Sequence, residues 1–283
     1  MGVGQLRLHE IAESDNVIIN PITSDQLDLL GRICRLRPGQ RQLDLACGKG
    51  EMLCRWARER GISGIGVDLS SVFIAAARQH ANELGVSDRV ELVQGDAAAY
   101  SAPPRHFDVV SCIGATWIGN GLVGTLELMR PGLKDDGLML VGEPFWNEEP
   151  PGEAFAAFET APGEFVSLAG TAHRFAQAGF DLVEMVLANL DGWDRYVAPH
   201  WWAIDTWLRE HPDHPDSAAL RAFAAAERAG YLAYGRRYLG WGVFVLRPCA
   251  DPRPSCRPGV LPTATDTRCP VRTTKGTCLR DGR

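Results

Sequence analysis

The sequence predicts an α/β fold built on a doubly wound, mostly parallel sheet. Short apolar runs alternate with segments of helical periodicity from residue 40 onward. The first run ends in Asp44 and leads through Gly48 and Gly50 into a helical stretch, and the second run ends in Asp68. Strands that alternate with helices favour a parallel sheet with right-handed crossovers.

The elements can be placed in order along the chain. Thr23 or Ser24 caps a helix that runs to Leu36, and Pro38-Gly39 turns the chain into the first strand. Later strands are predicted at 64–68, 90–94, 107–113, 137–143, 180–187 and 240–246. Further helices are predicted at 51–60, 70–85, 171–178, 197–210 and 216–234, and residues 147–163 are expected to form a loop with a short helix.

This order predicts three regions. Residues 1–39 form an N-terminal helical segment, 40–248 the main domain, and 249–283 a tail without periodicity that is expected to be disordered. Within the main domain, residues 190–239 form a helical insertion before the last strand.

Composition and charge narrow the partners. The whole chain has a net charge of −6. The last 35 residues carry +4, so residues 1–248 carry −10. An acidic body repels phosphate backbones, so we expect no nucleic-acid partner. No run of 18 apolar residues and no apolar leader occurs, so we expect no membrane association and a cytoplasmic location.

The glycine turn predicts a bound nucleoside. Such a turn exposes backbone N–H groups beside a helix N-terminus, and an acid at the end of the second strand can bind ribose hydroxyls. The dinucleotide pattern G-x-G-x-x-G would place Leu53 at its third glycine, which disfavours a nicotinamide-dependent oxidoreductase. That class stays open as an alternative.

The acid, cysteine and glycines at Asp44, Cys47, Gly48 and Gly50 resemble the first motif of the class I S-adenosylmethionine (SAM)-dependent methyltransferases. Later family motifs match in order at Asp68, at Gly95-Asp96-Ala97, at 107–112 and at 137–141. The resemblance implies a Rossmann-like methyltransferase fold of seven strands, the last one antiparallel between the fifth and sixth, with SAM as cofactor. Ala46 replaces a family glycine, which is tolerable if its φ is negative.

The resemblance also implies which residues contact the cofactor. Asp68 corresponds to the ribose-binding acid and Asp96 to an adenine-contacting acid, although Asp96 alone could serve as a helix cap. The full set of expected cofactor residues is Asp44, Ala46, Cys47, Gly48, Gly50, Asp68, Leu69, Asp96, Ala97 and Cys112.

The methyl acceptor is expected beyond the fourth and fifth strands, under the insertion. Nine of the thirteen Trp and Tyr residues fall between 193 and 241, a density that predicts an aromatic wall around a small molecule, although aromatic residues on helices are also common in cores. The expected acceptor-binding residues are Trp117, Trp146, Trp193 and Trp201.

Candidate proton acceptors are Glu143, His200 and Tyr196, with Asp194 as a further possibility. Glu143 is the first choice because strand ends are rigid, and its alternative role is a supporting hydrogen bond. No Cys-x-x-Cys pair occurs and His211 and His214 lie in a proline-rich loop, so no metal is expected. A thiol relay, as in an arsenite methyltransferase, and a non-catalytic SAM-binding module remain alternatives, and the sequence leaves the oligomeric state open.

Overall fold

A sheet of seven strands forms the centre of the protein in a computed structural model that describes residues 3–249. The strands are β1 (Arg41–Leu45), β2 (Ser63–Asp68), β3 (Val90–Gln94), β4 (Phe107–Ile113), β5 (Leu133–Trp146), β6 (Phe180–Leu187) and β7 (Leu239–Pro248). Their order is β3-β2-β1-β4-β5-β7-β6, and β7 runs antiparallel to both of its neighbours. The predicted Rossmann-like fold is therefore confirmed.

Ten α-helices are present in the described part of the chain. They are α1 (Val3–Ala12), α2 (Ser24–Ile33), α3 (Glu51–Arg60), α4 (Ser71–Glu83), α5 (Leu122–Met129), α6 (Gly152–Ala157), α7 (Leu168–Gln177), α8 (Leu190–Glu210), α9 (Ser217–Gly230) and α10 (Arg236–Tyr238). None of these helices is long and apolar enough to cross a membrane. The predicted tail, 249–283, lies outside the described residues except for Cys249.

Each face of the sheet is covered by its own helices. Leu30 of α2, Trp56 of α3 and Ile74 of α4 share one apolar cluster with one face of the strands. Leu126 of α5 and Phe175 of α7 belong to the cluster on the opposite face. Burying apolar side chains on both faces is the arrangement of a doubly wound sheet, and it leaves the strand ends as the exposed edge for ligands.

Several helices differ from the sequence-based expectation, among them α5, which lies between β4 and β5, where the sequence predicted no helix. α1 was not predicted within the polar first 24 residues, because its apolar positions do not form one continuous face. α8 begins at Leu190 rather than 197, since Asn189 caps it by accepting a hydrogen bond from the Gly192 N–H at 2.7 Å, and it continues through Pro199.

Contacts from three elements hold the N-terminal segment in place. Ile11 packs with Ile204 of α8 and Leu220 of α9. The Lys49 ammonium, from the glycine turn, donates to the carbonyls of Glu13, Ser14 and Asn16 at 2.7, 2.9 and 2.7 Å. A lysine has three donors, so these bonds satisfy it fully and tie the end of α1 to the turn after β1.

A buried ion cluster joins the same segment to α8 and α9. The ring of His200 lies between two carboxylates, with Nε2 3.2 Å from Glu13 and Nδ1 2.9 Å from Glu227. Burial lowers the pKa of His200, but the two carboxylates outweigh it and raise the pKa to about 9. At neutral pH His200 is therefore charged, and it compensates the fully buried Glu13.

We predict that His200→Ala destabilises the protein by about 3–5 kcal/mol, the cost of leaving a buried charge without its partner. Urea unfolding at neutral pH measures this change. His173→Ala, at an exposed position of α7, is the control and should alter stability by less than about 0.5 kcal/mol. Equal effects of the two substitutions would refute the buried ion cluster.

The same cluster fixes a pH dependence. The folded pKa of His200, about 9, exceeds the value of 6.5 for a free histidine, so its stabilisation is complete below about pH 6.5 and disappears as pH rises through 9. The stability difference between the natural protein and His200→Ala should narrow over that interval.

Candidate functional site

A cavity of about 380 Å³ lies along the carboxyl edge of the sheet. Its floor consists of residues at or near the carboxyl ends of β3, β2, β1, β4 and β5, in the spatial order of the strands, and it ends at the beginning of β7. These floor residues are Asp96, Asp68, Ala46, Gly114, Pro144 and Trp241. The volume falls within the usual range for small-molecule pockets.

The turn after β1 has the shape expected of a ligand-binding glycine turn. Gly48 and Gly50 have φ of +55° and +70°. The condition for a tolerable alanine, a negative φ at Ala46, is not met, because its φ is +56°. A left-handed conformation costs a non-glycine residue about 1–2 kcal/mol, so the turn holds Ala46 in a strained conformation beside the cavity.

Asp68 lies at the end of β2 and lines the cavity. Its Oδ2 accepts a hydrogen bond from the Gly48 N–H at 2.8 Å, and its Oδ1 accepts one from the Ser70 N–H at 2.9 Å. Burial raises the pKa of Asp68, and these two bonds oppose the rise. Each oxygen retains a free lone pair, so the carboxylate can accept two more hydrogen bonds from a ligand.

Of the two roles that the sequence left open for Asp96, the structure shows the helix cap. Asp96 caps a short 3₁₀ turn by accepting from the Ala98 N–H at 2.9 Å, and it also lines the cavity with Ala97. Leu69, which is 42% exposed, lies beside them on the cavity wall.

The other expected cofactor residues lie at or below the turn. Asp44 accepts a hydrogen bond from the Ser111 hydroxyl at 2.7 Å, and burial raises its pKa to about 7. Asp44 and Cys47 line a small neighbouring cavity of about 40 Å³. Cys112 is fully buried and Gly50 packs against Ala77, so neither contacts the main cavity.

The cover of the cavity comes largely from a segment that sequence analysis did not assign to the site. Leu6, His9, Ile19, Asn20 and Pro21 line the cavity from the N-terminal side. The Ile19 side chain lies over Gly48, where a Cβ atom would come within 2.1 Å of its Cδ1. The sequence pattern that could have assigned this segment to the site is weak, since only the spacing of Leu6 and His9 on one helix face indicates that α1 faces a ligand.

His9 is the titratable residue among these. Its ring packs edge-on against Phe73 with 5.6 Å between centroids. Burial lowers its pKa, and Glu13 opposes the change only partly, so His9 is neutral at neutral pH. A neutral imidazole in the wall can both donate and accept a hydrogen bond.

The aromatic wall contains some of the predicted residues and excludes others. Trp117, Trp193 and Trp241 line the cavity. Trp146 does not: it is 5% exposed, it packs against Phe158 and Phe165, and those two phenylalanines line the cavity instead.

Trp201 also lies outside the cavity. Its indole N–H donates to Glu227 at 3.1 Å, and its ring packs with Tyr231. It therefore supports the ion cluster beneath the cover rather than the acceptor wall.

Glu143 lines a second, more open cavity of about 740 Å³. This cavity shares Gly114, Trp117, Pro144 and Phe165 with the first, so the two adjoin. Glu143 is 3% exposed, and its Oε2 accepts a hydrogen bond from the Thr116 hydroxyl at 2.7 Å. Burial raises its pKa to about 7, so it can release or take up a proton near neutral pH.

The other proton-acceptor candidates lie in different surroundings. Tyr196 lines the main cavity, but burial and nearby Glu13 raise its pKa far above the ordinary value, so its hydroxyl stays protonated. His200 lies beneath Tyr196 in the ion cluster, outside the residues that line either cavity. Asp194 forms an ion pair with Arg236 and accepts a hydrogen bond from Tyr231.

Within residues 3–249, no cluster of three His, Cys, Asp or Glu side chains is arranged to hold a metal ion. Burial raises the pKa of both Cys34 and Cys54 to about 12, so these thiols stay protonated.

Comparisons with known proteins agree with this geometry. The family model described as "Methyltransferase domain" matches residues 43–137. The uncharacterized protein YjhP of Escherichia coli K12 is 46% identical over 242 residues, which cover 85% of this chain and 97% of YjhP.

Two solved structures contain a ligand related to the predicted cofactor. A SAM-dependent methyltransferase from Geobacter sulfurreducens, in complex with S-adenosyl-L-homocysteine, is 45% identical with a TM-score of 0.82. The match covers 86% of this chain and 98% of that one. A counterpart from Thiobacillus denitrificans with the same ligand is 41% identical, with the same TM-score and coverage.

S-adenosylhomocysteine therefore provides a probe for the role of Asp68. We predict that Asp68→Asn weakens its binding by about 1.5–3 kcal/mol, because an amide lacks the negative charge and the second acceptor oxygen. Calorimetry on folded variants measures the change, with the exposed Asp88→Asn as control. Unchanged affinity in Asp68→Asn would show that this carboxylate does not contact the ligand.

Proposed function

The chain belongs to the class I SAM-dependent methyltransferases, and we propose that it transfers the methyl group of SAM to a small molecule bound at the aromatic end of the main cavity. The observation that carries this proposal is the division of the cavity along the sheet edge. Carboxylates of Asp68 and Asp96 lie at the β2–β3 end, and aromatic side chains of Trp117, Trp193 and Trp241 lie toward β4 and β7.

The polar end suits the cofactor. Asp68 offers charged acceptors for the two ribose hydroxyls, and Leu69 with Ala97 offers apolar surface for a purine. The turn at Ala46–Gly50 would hold the amino-acid end of the cofactor. When bound, SAM supplies an electrophilic methyl group on a sulfonium, so the protein must align a nucleophile and exclude water.

The cover supports a water-excluded reaction. We propose that residues 190–239 act as a cap together with the N-terminal segment, since Trp193 and Tyr196 of α8 line the cavity together with Ile19 and Pro21. Gly192 permits this approach, because a Cβ there would lie 2.7 Å from the Pro21 carbonyl oxygen.

The acidic charge of the chain favours a small molecule over a nucleic acid as acceptor. Residues 1–248 carry a net charge of −10, which repels a phosphate backbone. A nicotinamide-dependent oxidoreductase is not favoured. Leu53 occupies the position of the third glycine of the dinucleotide motif, which allows close helix–strand contact, and the Leu53 side chain packs there against Gly64 of β2.

The function is tested with two measurements on the full chain. Calorimetry should detect S-adenosylhomocysteine binding and no comparable NAD binding. Incubation with methyl-labelled SAM and a fractionated bacterial metabolite extract should then yield a labelled small molecule by mass spectrometry. Tighter NAD binding would overturn the cofactor assignment, and cofactor binding without a labelled product from any fraction would favour a non-catalytic module.

We propose Glu143 as the proton acceptor for a protic methyl acceptor. Its pKa of about 7 means that the carboxyl loses its proton as pH rises through neutrality, so the transfer rate should rise over the same interval and then level off. Tyr196 is proposed as a hydrogen-bond donor, and His200 as a residue that positions it.

Glu143→Gln should lower kcat by about 10²–10⁴-fold and remove that pH dependence, because an amide cannot take up the proton. The exposed Glu127→Gln on α5 is the control. A Glu143→Gln enzyme that keeps the natural rate and pH profile would contradict the assignment.

A further inference from the structure

The larger cavity contains a guanidinium that forms no ion pair within the part of the chain that the structure describes, although its charge favours the ionised form of Glu143. Arg174 projects from α7 into the lining of the 740 Å³ cavity. Its guanidinium donates to the carbonyl oxygens of Glu164 at 2.7 Å and Gly163 at 2.5 Å. Both acceptors are neutral backbone groups, and within residues 3–249 no carboxylate forms an ion pair with it. Two of its five N–H groups are used, which leaves the others for a ligand.

The carboxylate of Glu164, next to these carbonyl groups, binds residues of its own loop and not Arg174. Oε2 of Glu164 accepts hydrogen bonds from the Thr160 hydroxyl at 2.9 Å and the Ala161 N–H at 3.0 Å. These bonds close the loop before α7 on itself. The carboxylate of Glu164 is thus held by its own loop while its carbonyl oxygen binds Arg174.

Glu143 provides a second polar group in the same cavity. It is 3% exposed, and Thr116 is its one hydrogen-bond donor within the described residues, through Oε2. Oε1 is left for a group inside the cavity. The charged side chains that line this space are therefore Glu143 from β5, Glu164 from the loop and Arg174 from α7.

The remaining wall is partly apolar. Trp117 and Phe165 lie where this cavity adjoins the cofactor cavity, so a molecule that contacts Arg174 can extend toward the site of transfer. A guanidinium presents paired N–H groups that match the two oxygens of a carboxylate.

Building on the proposed function, we infer that Arg174 binds a carboxylate of the methyl acceptor, and that the acceptor is a small organic acid with a hydroxyl or amino group near Glu143. The carboxylate pairs with the guanidinium, the apolar part lies against Trp117 and Phe165, and the protic group donates to Oε1 of Glu143. Arg174 is then a determinant of specificity.

The test uses mandelate and its neutral amide, mandelamide, as probes on the protein saturated with S-adenosylhomocysteine. Both probes carry a hydroxyl and a ring, and they differ in the charge that Arg174 is proposed to bind. Calorimetry should show tighter binding of mandelate. Arg174→Gln should weaken mandelate at least about tenfold, the change that 1.4 kcal/mol produces, and should leave mandelamide and S-adenosylhomocysteine unaffected.

Arg130→Gln is a matched control. Arg130 also donates to two backbone carbonyls, of Ala178 at 2.6 Å and Gly179 at 3.2 Å, but it lies outside both cavities. Arg130→Gln should leave the affinities of both probes unchanged. If Arg174 only anchors its loop, Arg174→Gln should change the affinities of mandelate and mandelamide by the same factor, and that result would overturn the inference. Equal or absent binding of the probes to the natural protein would also overturn it.

The cofactor measurement separates this inference from the proposed function. Loss of S-adenosylhomocysteine binding in the natural protein would refute the function itself. Retained cofactor binding without discrimination between the probes would refute only the organic-acid acceptor. In the extract assay, the labelled product should be retained on an anion exchanger.

Discussion

The attachment of the N-terminal segment to the glycine turn is the constraint on which the site depends. Lys49 lies between the two glycines of the turn, and its ammonium binds three carbonyls at the end of α1. Burial lowers the pKa of Lys49, and the nearby charge of Glu13 opposes that change, so Glu13 helps Lys49 to stay protonated. The residues that shape the cofactor turn thereby also hold its cover.

The strand order also separates the two ends of the cavity. β1 lies between β2 and β4, and from it the chain moves to one side through β2 and β3 and to the other through β4 and β5. The crevice at such a switch point is where open α/β sheets bind ligands. Asp68 ends β2 and Asp96 follows β3 on one side, while Gly114 follows β4 and Pro144 lies near the end of β5 on the other. A polar half and an apolar half are consequences of this topology.

The parts predicted correctly from sequence depend on local patterns. Alternating strands and helices specified the parallel sheet, and the resemblance to the methyltransferases implied its antiparallel last strand. Thr23 indicated the start of α2, where it forms a capping box with Gln26. The errors concern contacts between distant segments. α1 has a weak pattern of its own and depends on α8, α9 and Lys49, so its role as a cover was missed.

Individual side chains were hard to place for the same reason. Trp146 and Trp201 are aromatic residues near the site in sequence, but Phe158 and Glu227 draw them into other packing. Ala46 would be unstrained with a negative φ, but the turn keeps its φ at +56°. Tertiary contacts decided these positions, and one sequence does not reveal them.

The position of Ile19 bears on how a ligand reaches the turn. Its Cδ1 occupies the space beside Gly48, so a ligand that approaches this backbone must displace it. Lys49 and the ion pair of Glu13 with His200 hold the backbone nearby, and breaking a buried ion pair costs about 3–5 kcal/mol. A rotamer change in Ile19 costs far less. We therefore expect the side chain to move while the segment stays attached, so that ligand binding at the turn and the shape of the cover are coupled through Ile19.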